Sequence, residues 1–295
     1  MDMDSKYRGM LQVVNVFVFC GTILLVTLGA AVNVFHTCPT LYGSDACSGM
    51  TAWIVFFYLQ AMVNLFLVCY TSRQNEVSLW IAKVSLSQNI MDRLKTCVVC
   101  CAPKPRRAYH CKLCNICVLR CDHHCLFAGA CIGIANLRYF IVFLFWASIG
   151  IAYTSTHMYK YFNAYATRSE YLGSFGYFPP IVIGRALLDF EYFPTALVVS
   201  FLWTGIQVGI SLFVLFIAQV YYLMTGFTTY EYHFLRGQSK NKLKGDGGSI
   251  TDRLQLIFGH PWFLSFICPQ PFRPSELTPE IISNLFSDGG EVKVV

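Results

Sequence analysis

The chain has 295 residues, of which 55% are hydrophobic and only 13% charged, and its mean hydropathy is +0.50. That composition excludes an ordinary soluble globular protein. The net charge of +6 suits anionic headgroups or a phosphate-bearing cofactor and gives no sign of nucleic-acid binding.

Four apolar stretches are each long enough to cross a bilayer, which takes about 20 residues. The first, Leu11–Phe35, has an apolar core too long for a signal peptide and no small-residue site closing it, so it reads as an uncleaved span. The loop that follows, Phe35–Met50, carries no Lys or Arg, and holds Cys38 and Cys47, which are close enough in sequence for a disulfide. The second stretch is Thr51–Tyr70. After it, Thr71–Leu137 carries nine Lys and Arg residues. The third stretch, Tyr139–Tyr159, leads into a loop (Lys160–Pro194) poor in basic residues. Within it lies a weaker apolar patch, Tyr177–Phe190, containing Pro179, Pro180, Arg185 and Asp189, which reads as a re-entrant or interfacial segment or as a non-cytosolic loop. The fourth stretch is Thr195–Met224, and the tail from Gly226 has seven basic residues. In that tail, Lys240, Lys242 and Lys244 beside Gly245–Gly248 suggest a basic loop, and an acidic end surrounds Asp288 and Glu291.

The basic residues place both termini and the middle segment in the cytosol. The chain therefore divides into an N-terminal tail with two spans (1–70), a cytosolic cysteine-rich segment (71–137), two further spans with a lumenal loop (138–225) and a cytosolic tail (226–295). Cys38 and Cys47 then face an oxidising compartment and the central cysteines a reducing one. Cys20 and Cys69, inside spans, read as buried apolar thiols.

Nine of the fourteen cysteines and three of the seven histidines fall between Cys97 and Cys131. Thiolate and imidazole donors at two-residue spacings suit tetrahedral zinc, and two such ions need eight ligands. The segment offers twelve: Cys97, Cys100, Cys101, Cys111, Cys114, Cys117, Cys121, Cys125 and Cys131 with His110, His123 and His124. The surplus is compatible with a purely structural zinc fold and with a spare reactive thiol. Asp122, His123 and Cys125 offer an acid, an imidazole and a thiol within four residues, the residue types of nucleophilic catalysis.

The run Cys97-x2-Cys100-x9-His110-Cys111-x2-Cys114-x2-Cys117-x4-Asp122-His123-His124-Cys125-x5-Cys131 resembles the cysteine-rich domain of DHHC-type protein S-acyltransferases (palmitoyltransferases). Pro105, Arg107 and Asn136 fit the same pattern, as does Thr228-Thr229-Tyr230-Glu231, which is similar to the family's TTxE motif. The resemblance implies an all-α integral membrane fold, with four transmembrane helices and a cytosolic two-zinc domain between helices 2 and 3. It implies one zinc on Cys97, Cys100, His110 and Cys117, and another on Cys111, Cys114, His124 and Cys131. Cys125 is then the acylated nucleophile, His123 its base and Asp122 the orienting carboxylate, with Thr229 near Asp122. Cys101 and Cys121 become buried or bystander thiols.

By the same resemblance, acyl-CoA is the co-substrate and the reaction is ping-pong: Cys125 takes a long-chain acyl group and passes it to cytosolic juxtamembrane cysteines of protein substrates. Burial contributes about 0.8 kcal/mol per methylene, so an acyl chain among the spans adds on the order of 10 kcal/mol before losses. Lys104 and Arg107 match positions near the CoA phosphates, with Arg106 adjacent; a solvated basic turn is the alternative. Golgi or endoplasmic reticulum is expected ahead of the plasma membrane, and a dimer or accessory subunit stays open. Departures from the pattern are Leu126-Phe127-Ala128-Gly129-Ala130 after Cys125, and Thr71-Ser72-Arg73-Gln74 where Asp-Pro-Gly is usual. Further on, Asp252-Arg253 stands where an asparagine is expected upstream of Phe258-Gly259. They keep open a catalytically weak scaffold or adaptor. A channel is disfavoured because ionisable residues are nearly absent from the apolar stretches.

Overall fold

The computed structural model describes residues 5–84, 91–166, 177–235, 245–246, 249–269 and 279–286. The basic run Lys240, Lys242 and Lys244 and the acidic end at Asp288 and Glu291 lie outside them. Uninterrupted apolar sequence with few charges folds as helix, because a backbone without water must satisfy its own hydrogen bonds. Among the described residues, four helices are long and apolar enough to cross a membrane: α1 within Gly9–Tyr42, α2 within Asp45–Tyr70, α4 within Leu137–Tyr165 and α6 within Phe190–Thr225. The shorter helices are α3 (Val77–Val84), α5 (Pro179–Leu188), α7 (Ile250–Phe258), α8 (Leu264–Ile267) and α9 (Pro279–Phe286). The expected integral membrane architecture is observed and is mostly helical, with the cysteine-rich segment, which forms short strands, between the second and third spans. The spans run a few residues beyond the apolar cores and take in Arg138 and Lys160 near the ends of α4.

The chain forms two compact units. One comprises Gly21–Met62 and Phe143–Phe216. Its helices approach closely where side chains are small: a Cβ on Gly150 would sit 2.9 Å from Phe57, and one on Gly209 3.0 Å from Ile151. Such small residues let backbones pack in lipid, where no hydrophobic force drives association. Cys38 and Cys47 form a disulfide, buried with Met50 and Ile54. The apolar patch at Tyr177–Phe190 contains α5, a ten-residue helix too short to span. Pro179 and Pro180 open it, where a missing N–H costs nothing.

The other unit comprises Met1–Cys20, Val63–Val142 and Ile217–Val295. Its centre is three antiparallel hairpins: β1 (Lys95–Thr96) with β2 (Pro103–Lys104), β3 (Ala108–Cys111) with β4 (Ile116–Leu119), and β5 (His123–Cys125) with β6 (Ala130–Ile132). A buried asparagine pair ties them to α2. Asn136 Nδ2 donates to the carbonyls of Val68 (3.0 Å) and Cys131 (2.8 Å), and its Oδ1 accepts from Asn75 (3.0 Å) and the Gly133 amide (2.9 Å). Gly133 must stay small, because a Cβ there would meet Asn75 Oδ1 at 2.7 Å.

Candidate functional site: two metal cages and a thiol–imidazole–carboxylate set

Strand register decides which donors meet. Residues directly opposite on paired strands share a face, and the register sets His110 opposite Cys117 and His124 opposite Cys131. Each such pair closes on a two-cysteine turn. In the first turn the Cys101 amide donates to the Cys97 carbonyl at 2.9 Å; in the second, the Asn115 amide donates to the Cys111 carbonyl at 2.8 Å. The residue after each turn is left-handed, Cys101 at φ 53° and Asn115 at φ 55°. Cys101 thus ends a turn, with its thiol exposed, and does not act as a ligand.

Cys97, Cys100, His110 and Cys117 form one group of donors lying within 4.8 Å of one another, and Cys111, Cys114, His124 and Cys131 form the other. In the second, His124 Nδ1 lies 3.6, 3.5 and 3.5 Å from the sulfurs of Cys111, Cys114 and Cys131. One ring nitrogen cannot hydrogen-bond three thiols at once, so the convergence is that of a metal cage. With Zn–S about 2.3 Å and Zn–N about 2.0–2.1 Å, tetrahedral donors stand roughly 3.5–3.8 Å apart, and these spacings fit. The first cage is similar, with His110 Nδ1 at 3.1 Å from Cys100 and 3.8 Å from Cys117. Four protein donors leave zinc no open position, so its contribution is cross-linking. Asn15 Oδ1 stands 3.4 Å from the outer nitrogen of His124.

Alternation along β5 sorts the three remaining groups. Successive strand side chains point to opposite faces, so His124 turns to the cage while His123 and Cys125, two apart, share the other face. The strand brings them together. Cys125 is buried, with 5% exposure, and lies near enough to His123 to raise its imidazole. On the other side of the ring, His123 Nδ1 lies 2.7 Å from Asp122 Oδ2, and Phe140 packs edge-on at 5.2 Å.

Asp122, 2% exposed, is the most heavily bonded group in the site. The Thr229 amide donates to Oδ1 at 2.7 Å, while the Thr229 hydroxyl (3.0 Å) and Gln219 Nε2 (2.9 Å) donate to Oδ2. Burial pushes this carboxyl up, but His123, Thr229 and Gln219 together hold it below the usual carboxylate range. Burial would lower the His123 imidazole, yet Asp122 and Cys125 raise it to about 9. The imidazole is thereby held in its cationic, proton-bearing form beside Cys125. Burial raises the neighbouring Cys121 thiol, with Asp122 adding to the shift.

Gln219 and Asp246 were missed in the sequence. Gln219 could have been found as an amide inside an otherwise apolar span; Asp246 carries no local signal. Arg107 requires a correction. It is 3% exposed, and its guanidinium is bound to Glu231 (2.6 and 2.7 Å) and Asp246 (2.6 Å). With its donors committed to buried carboxylates, it has no fork to offer a CoA phosphate. Lys104, half-buried on β2, keeps that expectation. Cys69 departs from the apolar-thiol expectation, since its thiol donates to the Ala128 carbonyl at 3.0 Å, and Cys20 is exposed on α1. The divergent Leu126–Gly129 forms the tip of the β5–β6 hairpin: Gly129 takes the left-handed conformation (φ 62°) and the Leu126 and Phe127 side chains are exposed. In the tail, Ser249 and Asp252 form a reciprocal capping box opening α7.

The arginine–carboxylate cluster predicts a pH response of tail docking. Burial raises the Asp246 carboxyl, but Arg107 and Arg120 outweigh it and hold the group below the ordinary 3.8. A depressed carboxyl contributes stability that is complete above the unfolded value and lost as pH falls through the folded one. Hydrogen exchange of the Thr228–Glu231 amides, corrected for intrinsic rate, is therefore expected to stay constant from neutral pH down to about 3.8 and to accelerate only below it.

Fold and site together define a multi-pass membrane protein whose metal-binding Cys/His domain presents a thiol–imidazole–carboxylate set. Residues 90–235 match the family model described as DHHC palmitoyltransferase. The chain is 29% identical over 171 residues to palmitoyltransferase PFA3 of Saccharomyces cerevisiae, covering 56% of this chain and 44% of that protein. It is 27% identical over 198 residues to probable protein S-acyltransferase 14 of Arabidopsis thaliana, covering 55% and 64%, and 27% identical over 200 residues to palmitoyltransferase ZDHHC22 of Mus musculus, covering 63% and 70%. The chain thus spans less than two thirds of the yeast and Arabidopsis relatives. Residues 90–235 therefore carry a DHHC palmitoyltransferase family domain.

Proposed function

We propose that this chain is a protein-cysteine S-acyltransferase that moves a long-chain acyl group, palmitoyl in the first instance, from acyl-CoA to cysteines of membrane-associated proteins. The observation that carries the reading is the placement of Cys125 and His123 on one face of β5, with Asp122 fixed behind the imidazole. In the first step the Cys125 thiolate attacks the acyl-CoA carbonyl and a thioester to Cys125 forms. The carbon–sulfur bond to CoA breaks, and the departing thiolate takes the proton held on His123. In the second step a substrate cysteine gives its proton to His123 and attacks the acyl carbon. Its thioester forms, and Cys125 leaves as thiolate. Asp122 holds the imidazole's orientation and stabilises its cationic form throughout. The eight cage residues hold two structural zinc ions.

The four-part division at 70, 137 and 225 goes with this reading, as do cytosolic termini and a cytosolic metal domain. The Cys38–Cys47 disulfide supports that orientation, because a disulfide between the first two spans belongs on the oxidising side. Lys104 is the candidate contact for CoA phosphates, with Arg106 two residues further on, and the substrates are proteins with cytosolic juxtamembrane cysteines. Golgi or endoplasmic reticulum is the proposed location.

Incubation of wild type and Cys125→Ser with a clickable long-chain acyl-CoA tests the reading. Label that hydroxylamine removes is expected on wild type and absent from the variant. Equal label on both, or none on either, would overturn the enzyme and favour a zinc-stabilised scaffold.

A further inference from the structure

The tail reaches the Asp122 loop by a second route, through a buried charge cluster that no substrate contact explains. Arg120 lies two residues before Asp122, is fully buried and has φ 46°. A left-handed backbone is disfavoured at a non-glycine residue and persists only when its surroundings impose it. Here the imposing group is Asp246. Its carboxylate takes both Nε (3.0 and 2.9 Å) and Nη2 of Arg120, while its Oδ1 also accepts from Arg107 at 2.6 Å. Arg107 in turn grips Glu231 through a two-point contact. Two arginines and two carboxylates thus balance, all with side chains at most 2% exposed.

Asp246 is itself anchored. Its amide donates to the Gly226 carbonyl at 2.9 Å, and Arg107 Nη2 donates to the same carbonyl at 3.3 Å. Gly245 packs so closely on Gly226 that a Cβ would lie 2.9 Å from its carbonyl oxygen. The end of α6 therefore fixes Asp246, Asp246 fixes the Arg120 turn, and that turn delivers Asp122 to Thr229, Gln219 and His123. We infer that Asp246 is a positioning residue for the acyl-transfer step, acting through Arg120 on the placement of Asp122 and never touching substrate. This rests on the acyltransferase reading above. It differs from a plain stabilising salt bridge in predicting a rate defect while the metal cages stay intact.

The test uses the full chain in nanodiscs and three proteins: wild type, Asp246→Asn, and Asp246→Asn combined with Arg120→Gly. Removing the carboxylate leaves Arg120 buried without its partner in a turn it does not favour. The double variant removes the unpaired charge, lets glycine adopt the same turn freely, and keeps the Arg107–Glu231 pair. Asp246→Asn is expected to acylate about 10- to 100-fold more slowly, as small misplacements of a catalytic group do. Its KM for acyl-CoA should stay within about threefold and its zinc content at the wild-type level, and the double variant should regain most of the rate. Wild-type acylation by Asp246→Asn overturns the inference. So does loss of zinc without recovery in the double variant, the result expected of a merely structural bridge. If wild type forms no acyl-enzyme, the acyltransferase reading fails by itself. The rate of Cys125 alkylation by iodoacetamide then decides: slower in Asp246→Asn supports positioning, and an equal rate overturns it.

Discussion

Asp122→Asn is expected to lower the acylation rate by about 10²–10⁴-fold, the usual range for disabling general acid–base catalysis, with both zinc ions retained. The neutral amide removes the Asp122 charge that, together with Cys125, raises His123 to about 9, so the imidazole holds its proton less firmly. Asparagine also has one accepting oxygen where the carboxylate uses two, Oδ2 for His123, Gln219 and the Thr229 hydroxyl and Oδ1 for the Thr229 amide. One orientation of the amide presents an N–H to the Thr229 amide and the other presents one to His123, so a donor faces a donor in either case. Single-turnover quench-flow with zinc quantified on the same sample checks this. A drop of less than about tenfold, corresponding to 1.4 kcal/mol, would remove Asp122 from the chemistry.

Cys131→Ser is expected to be more damaging, because it opens a cage rather than detuning a group. Cys131 is fully buried, pairs with His124 across β5–β6, and has a carbonyl that accepts from Asn136 at 2.8 Å. Structural zinc contributes folding free energy of about 10–16 kcal/mol in small zinc domains. Losing one thiolate should therefore release about one zinc per chain and unfold the β5–β6 hairpin with Cys125 on it. Elemental analysis and protease sensitivity within Leu119–Asn136 report the outcome. Cys101→Ser makes the contrast: its exposed thiol ends a turn and lies outside both cages, so zinc content should be unchanged. Equal zinc loss in both variants would mean that the ligand assignment is wrong.

The spans were legible because apolar runs without charge have one outcome in a bilayer, and α1, α2, α4 and α6 each contain the stretch read from composition. The cages were legible by ligand arithmetic once a family pattern had divided the donors. The reason for the division appears only with the strands: His110 opposite Cys117 and His124 opposite Cys131 is a register, and no spacing rule yields a register across turns. Alternation along β5 likewise explains why His124 turns into a donor group able to hold a metal while its neighbours His123 and Cys125 share the other face. Arg107 was misread because a basic residue in a motif looks solvent-facing until its partners, 124 and 139 residues away, are found. Gln219 and Asp246 escaped for the same reason, since their significance lies in contacts 97 and 126 residues distant.

Peptide-level mass spectrometry of the wild-type chain, quenched within its first turnover with palmitoyl-CoA, tests the central claim most directly. One palmitoyl group on the peptide containing Cys125, removed by hydroxylamine and transferred to an added acceptor cysteine, is the predicted result. Palmitoyl only on exposed thiols such as Cys101 or Cys268, with Cys125 unmodified, would contradict it.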